Sequence, residues 1–283
     1  MTTERRTVVL CPRCGSTDAG GSDDDTSPPG YTRMSCGHCG HWAFCDEWEV
    51  KFQWNTAELL AADAPLPRFV FTRDRLVTAV RAIVATRSPD EDSFASEPAV
   101  RALCDAVSRG WSEPHRSYHT LQHLAECLRW LDDRAVRSAI AQPSEVELAI
   151  YFHDLVYDTT RSDNEEASAE QCVALLSAVD ATDAAAIERV RQMVLATKTH
   201  TADNDDTRVM LDVDLSILGA DEPRFAEYEA QIREEFQWVP DDAYRAGRRR
   251  VLEGFARRER IFHSAALFER LEGRARHNLA LAL

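Results

Sequence analysis

Arg116-Ser117-Tyr118-His119-Thr120-Leu121-Gln122-His123-Leu124-Ala125-Glu126-Cys127-Leu128-Arg129-Trp130-Leu131 is the stretch from which the fold can be read. Leu121, Leu124, Leu128 and Leu131 recur at offsets of three and four, the period of one helix face turned to a core. His119 and His123, four residues apart, are expected on one face of the same helix, beside that leucine stripe.

The same period continues down the chain. Ile187, Val190, Val194 and Thr197 form one stripe, and Phe225, Tyr228, Ile232 and Phe236 another. Ser144 with Glu147 and Ser162 with Glu165 have capping-box spacing, and Gly219 after Leu218 reads as a helix stop. Residues 71–283 therefore read as one all-helical domain. Ahead of it, Ala61-Ala62-Asp63-Ala64-Pro65-Leu66-Pro67 has linker composition, so the linker is placed at 55–70. Residues 1–54 read as a small β-rich module, with turn residues from Gly20 to Gly30 and a strand-like aromatic stretch from Trp42 to Trp54.

Bulk properties restrict the function classes. The 283 residues are 44% hydrophobic, enough for a buried core, and carry a formal charge of −15. Such a charge repels a phosphate backbone and argues against a general nucleic-acid coat. Neither a signal peptide nor a membrane span is read at the start of the sequence, which makes a cytoplasmic location the default expectation. Arginines cluster at Arg245, Arg248, Arg249 and Arg250, and again at Arg257, Arg258 and Arg260. They read as a solvated helix face, or as a local phosphate pocket.

Four of the eight cysteines fall in two CxxC pairs, Cys11-Pro12-Arg13-Cys14 and Cys36-Gly37-His38-Cys39. This spacing lets two thiolates from each tight turn reach one tetrahedral ion. A structural zinc on Cys11, Cys14, Cys36 and Cys39 is expected, holding together a module too small for a hydrophobic core of its own. His38, His41 and Cys45 are lesser candidates for that shell. Contact of this module with nucleic acid or protein is open.

Polar residues interrupt the apolar helical pattern at three places. Tyr151-Phe152-His153-Asp154-Leu155 sets a carboxylate after a histidine in an apolar run, Leu211-Asp212-Val213-Asp214-Leu215 adds two more carboxylates, and His119 and His123 flank the first stripe. Burying these groups unpartnered is costly, and a divalent metal offsets that cost because neutral imidazole and ionised carboxylate are its ordinary ligands.

One His, an adjacent His-Asp pair and a distant Asp together resemble the signature of the HD superfamily of metal-dependent phosphohydrolases. In detail the chain resembles uncharacterised bacterial HD proteins with an Arg-x-Tyr-His-x-x-x-His start, a Phe-His-Asp centre and an Asp-x-Asp-Leu-x-Ile-Leu-Gly end. The resemblance spans most of residues 71–283 and implies an all-helical HD fold. It implies His123, His153, Asp154 and Asp214 as metal ligands, with Asp214 preferred to Asp212. It also implies that His119 protonates the leaving oxygen. The expected activity is hydrolysis of a nucleotide or another small phosphate ester or anhydride by metal-activated water, the metal being manganese, magnesium, iron, cobalt or nickel.

Around that set, Arg116, Lys198, His200 and Arg248 are candidate phosphate-binding residues. Arg116 and Lys198 are also candidates for charge neutralisation during the reaction, and Asp158 and Glu165 for orienting a water or a second metal. Lys198 is one of only two lysines, the other being Lys51. Two rival readings belong to other classes: an HD-fold di-iron oxygenase, and a non-catalytic adaptor whose pocket senses a nucleotide.

Overall fold

The computed structural model describes residues 75–84 and 97–283 with their side chains, and residues 6–9, 19–22, 32–36, 42–45, 56–59 and 73–74 as backbone in strands or a helix. The chain divides into two compact units, Met1–Leu76 and Val77–Leu283. In the first, β1 (Arg6–Val9) pairs antiparallel with β5 (Thr56–Leu59), Arg6 opposite Leu59. β2 (Ala19–Ser22), β3 (Thr32–Cys36) and β4 (Trp42–Cys45) form a three-stranded antiparallel sheet in that order. β5 falls in the stretch read as linker. The zinc site expected at Cys11, Cys14, Cys36 and Cys39, with His38, His41 and Cys45 as substitutes, lies outside the described side chains.

The second unit is helical. After α1 (Arg73–Ala82) come α2 (Pro98–Gly110), α3 (Leu121–Asp132), α4 (Arg134–Arg137), α5 (Pro143–Phe152), α6 (Asn164–Ser177), α7 (Ala184–Ala196) and α8 (Asp205–Asp214). A 3-10 turn at Leu215–Gly219 leads to α9 (Glu222–Glu235), α10 (Asp241–Ala256) and α11 (Ala265–Ala282). α5 is the axis of this unit. From Val146 to Phe152 every side chain is buried, and the helix packs against α3, α6, α7 and α8. A helix buried on all sides must be enclosed, and amphipathic helices turn their apolar faces to it. Of its two buried acids, Glu145 and Glu147, the first is held by both Nε and Nη2 of Arg189 at 2.7 Å.

The periodic stripes are core faces: Leu124, Leu128 and Leu131 in α3, Ile187, Val190 and Val194 in α7, and Phe225, Tyr228 and Ile232 in α9 are all buried. Helix starts differ from the expected capping boxes. α5 begins on Pro143, with Gln142 at the cap, because proline supplies a preset φ and lacks the amide that a cap would satisfy. α6 begins after Asp163 with no side-chain cap bond, so Ser162 does not cap it. Among the described residues no helix is long and apolar enough to cross a membrane.

Gly219 stops the 3-10 turn for a packing reason. A Cβ there would stand 2.7 Å from the Leu271 Cβ and 2.9 Å from its carbonyl oxygen, so only glycine lets α11 lie this close. Gly219→Ala should lower stability by about 1–3 kcal/mol through that overlap, read as a shift of the denaturant midpoint. Gly273→Ala, on the exposed side of α11 with open space at its Cβ, should raise stability by up to ~1 kcal/mol.

Candidate metal centre

Three helix ends and turns deliver the polar groups. His123 sits in the second position after the start of α3, His153 and Asp154 follow the last residue of α5, and Asp214 ends α8. α5 continues one residue as far as the His153 amide, which donates to the Ala149 carbonyl at 2.9 Å. The His-Asp pair therefore leaves a fully buried helix where its hydrogen-bond ladder ends. Trp111 covers this end, donating from its indole N–H to the Tyr151 carbonyl at 2.8 Å, with its ring 5.4 Å from that of His153.

His123, His153, Asp154 and Asp214 each offer one donor atom within 4.8 Å of the others, a group able to hold a metal ion. The His123 and His153 Nε2 atoms are 3.2 Å apart. Asp214 Oδ1 is 3.2 Å from the first and 3.4 Å from the second, and Asp154 Oδ2 is 3.0 Å from His153 Nε2. Ligands about 2.1 Å from a shared ion stand about 3.0 Å apart when adjacent on an octahedron and about 3.4 Å apart on a tetrahedron. Four of the donor pairs match that spacing, while His123 Nε2 and Asp154 Oδ2 stand 3.9 Å apart, nearer to the ~4.2 Å of opposite octahedral positions. The outward ring nitrogens fit a divalent cation too: His153 Nδ1 donates to the Ile150 carbonyl at 2.9 Å, leaving the Nε2 lone pair for an ion, and His123 Nδ1 meets the Tyr118 hydroxyl at 3.0 Å.

Burial penalises every charge here, but mutual attraction wins. The carboxyl groups of Asp154 and Asp214 are held well below the ordinary carboxylate range, chiefly by His153, and those carboxylates hold His153 well above the ordinary imidazole range. Asp212 has different partners. Two residues before Asp214 on the same helix, it points elsewhere and accepts the amides of His263 and Ser264 at 2.6–2.9 Å, ahead of α11.

His119 is not on α3. The helix starts at Leu121 behind an N-cap at Thr120, whose hydroxyl accepts the Gln122 amide, so the expected shared helix face with His123 gives way to a turn ahead of the helix. The cause is Glu235 at the end of α9, which no motif pointed to. Its Oε1 accepts the amides of Ser117, Tyr118 and His119 at 2.8–2.9 Å, and its Oε2 accepts His119 Nδ1 at 2.8 Å and the Tyr157 hydroxyl at 2.7 Å. Tyr157 also stacks on the His119 ring, with centroids 4.0 Å apart. His119 Nε2 is left facing Asp154 Oδ2 at 3.9 Å, beside the four-residue group but not part of it.

A cleft of about 580 Å³ opens onto Asp154, Asp214 and His119, with His200, Lys198 and Glu165 also on its wall. A larger depression of about 900 Å³ shares only Tyr157 with this cleft and holds Asp158, but no member of the metal group. Asp158 Oδ1 instead accepts the amide and hydroxyl of Thr160. Arg116 does not line the cleft. Its buried guanidinium pairs with Glu113 and donates to the carbonyls of His119, Asp154 and Leu155, tying the two histidine segments together. Lys198 lines the cleft but is bound to Glu166 and the Ser162 carbonyl, and Arg248 pairs with Glu229 over the Tyr228 ring.

His200 stands beside the group, its Nε2 3.2 Å from Asp214 Oδ2, and does so at a φ of 49°. A non-glycine residue in this region is strained and persists only where surrounding contacts fix it. Comparison of the chain with known protein families, with characterised proteins and with solved structures gives no match in any of the three.

Two outcomes follow. Loading of Mn²⁺ at pH 7 should release about one proton per ion, because the charged His153 must become neutral to bind; calorimetry in buffers of different ionisation enthalpy reads this directly, and Asp154→Ala should abolish tight binding. Glu235 gives the second outcome. Burial opposes its ionisation, yet hydrogen bonds led by that from His119 hold its carboxyl down at about 2, against an ordinary 4.5. Its stabilisation, roughly 3 kcal/mol, is whole above pH 4.5 and fades as pH falls toward 2. Glu235→Gln should therefore be destabilised at pH 7, and the gap from the parent protein in urea midpoint should close below pH 3.

Proposed function

We propose that the helical unit is a metal-dependent phosphohydrolase of the HD type, acting on a nucleotide or another small phosphorylated metabolite. The observation that carries this reading is the placement of His119: an imidazole outside the ligand group, clamped on one nitrogen by a buried carboxylate, with the other nitrogen at the edge of the candidate metal centre. A group that must deliver a proton at one defined point requires such a fixed orientation, and the same carboxylate also anchors the backbone ahead of α3.

His123, His153, Asp154 and Asp214 would hold the ion, which when bound lowers the pKa of a water and withdraws charge from phosphorus. The two imidazoles are sealed, each with 1–2% of the side chain exposed, while the Asp154 and Asp214 carboxylates are 19% and 13% exposed and form the open side. A phosphate approaches from that side alone. The Nδ1 hydrogen of His119 is taken by Glu235, which accepts only, so it is Nε2 that would carry the second proton of the imidazolium to the leaving oxygen. Tyr157, stacked on the ring and bonded to the same carboxylate, prevents the imidazole from turning. Arg116 keeps the His119 and Asp154 backbones in register through their carbonyls, a positioning task in place of the phosphate contact expected from sequence.

Phosphate release from nucleoside mono-, di- and triphosphates, each with Mn²⁺, Mg²⁺, Fe²⁺, Co²⁺ or Ni²⁺, tests the reading, with Asp154→Ala as the blank. The parent protein should turn over at least one of them, and His119→Ala should lower kcat by about 10²–10⁴ with its metal content unchanged. Silence of the parent protein on all substrates and metals would sink the hydrolase assignment. Full activity of His119→Ala would sink the role given to His119. Two irons per chain with an oxygen-dependent product would favour the oxygenase reading instead.

A further inference from the structure

The sequence offers many arginines near the end of α10, and the structure sorts them by partner. Arg245 pairs with Asp242, Arg249 and Arg257 with Glu253, and Arg248 with Glu229. Each of these guanidinium groups has a carboxylate partner, Arg249 and Arg257 sharing one. Two arginines on the cleft wall differ. Arg250 and Arg258 make no ion pair among the described residues, in a chain of net charge −15 that has acids to spare.

Arg258 is the more informative. It is half-buried, its Nη1 and Nη2 donate to the carbonyls of His200 and Thr199 at 3.2 and 3.1 Å, and its guanidinium lies 4.8 Å from the Phe255 ring centre. Carbonyl oxygens fix its plane without cancelling its charge, and burial alone pushes its pKa down. A desolvated, oriented and uncompensated cation has a standing cost that an anionic ligand would remove. The carbonyl it grips belongs to His200, whose imidazole reaches Asp214, so this charge stands one residue away from the metal group. Arg258 also faces an adjoining depression with Arg208, Arg260 and His263, where Asp205 is already engaged by Arg208 and Glu259 is the remaining acid.

The rest of this wall is suited to a ligand as well. Arg250, Val251, Gly254 and Phe255 follow one another at helical offsets on α10, and Arg258 stands just past its end, all along one side of the cleft. Val251 is 49% exposed, and a Cβ on Gly254 would meet nothing within 4 Å. The wall therefore presents an open apolar strip with a free guanidinium at each end.

From this geometry we infer that the cleft takes a substrate carrying a second phosphate besides the one attacked, and that Arg258, assisted by Arg250, binds that second group. The inference rests on the hydrolase reading for the word substrate, but the anion site it describes exists with or without turnover. A 5′-diphosphate and a 3′,5′-bisphosphate both supply a second phosphate, and the strip beside it accommodates the nucleoside.

Two measurements test this separately from the function itself. The first is equilibrium binding of adenosine 5′-monophosphate, adenosine 5′-diphosphate and adenosine 3′,5′-bisphosphate to Mn²⁺-loaded His119→Ala protein, alone and combined with Arg258→Ala, Arg258→Lys or Arg250→Ala. At least one doubly phosphorylated compound should bind tighter than the monophosphate, and Arg258→Ala should weaken it by about 30-fold while changing the monophosphate less than about 3-fold. Arg258→Lys should recover part of the loss, and Arg250→Ala should cost a smaller part of it. The better of the two compounds tells a neighbouring phosphate from a distant one. Equal losses for all three compounds would mean that Arg258 merely holds the Thr199–His200 turn, and no preference for a second phosphate in the parent background would equally overturn the inference. The second measurement is kcat/KM on the same compounds with His119 restored. If nothing is turned over but the binding preference and its loss in Arg258→Ala persist, the anion site stands and the hydrolase reading falls.

Discussion

Two imidazoles and two carboxylates held within 4.8 Å of one another, at the end of a helix buried from Glu145 to Phe152, make up the constraint around which the helical unit is arranged. Charge in such a place is tolerated only when paired, and here the pairing is mutual: His153 holds both carboxyl groups ionised, and they hold it charged. A divalent ion satisfies the same four groups with less repulsion, since it accepts lone pairs from both histidines at once. The packing around the group serves its rigidity. Trp111 covers the end of α5, Arg116 ties two backbones together through three carbonyls, and Asp212 secures the approach to α11 so that Asp214 on the opposite side of the same helix end is fixed.

Glu235 connects this group to the rest of the fold. One carboxylate collects three consecutive amides, a histidine nitrogen and a tyrosine hydroxyl, thereby linking the end of α9 to the approach of α3 and to the segment after α5. The consequence is chemical as well as structural. With Nδ1 of His119 committed to Glu235 and its ring stacked on Tyr157, the remaining nitrogen is aimed at the edge of the metal group, and a flexible surface histidine becomes a positioned one.

Sequence made the helical unit legible because its stripes follow the 3.6-residue period, and the three polar segments legible because charge inside apolar runs demands a partner; the choice of His123, His153, Asp154 and Asp214 within them came from the resemblance. Asp214 was likewise separated from Asp212 only by resemblance; their distinct partners become visible once the helix end and the start of α11 are placed. His119 was misread as helical since spacing alone cannot reveal a cap at Thr120 or a carboxylate 116 residues away. Glu235 itself, within Arg233-Glu234-Glu235-Phe236, looks like a solvated helix end. For these cations the missing information was the location of each acid: Arg116, Arg248 and Lys198 looked equally suited to phosphate, and their partners show that they are engaged, while Arg258 has no carboxylate partner among the described residues. The cysteine pairs near the start lie beyond the side chains described and stand as read from their spacing.

The central claim is that His123, His153, Asp154 and Asp214 share one ion while His119 stays outside its shell. Anomalous diffraction at the manganese edge, from crystals of the full chain equilibrated with Mn²⁺, tests it most directly. The account predicts a peak enclosed by the two Nε2 atoms and the two carboxylates, with His119 Nε2 beyond bonding distance and still tied through Nδ1 to Glu235. A helical unit without a peak at this point, or a peak bonded to His119 in place of His123, would contradict it.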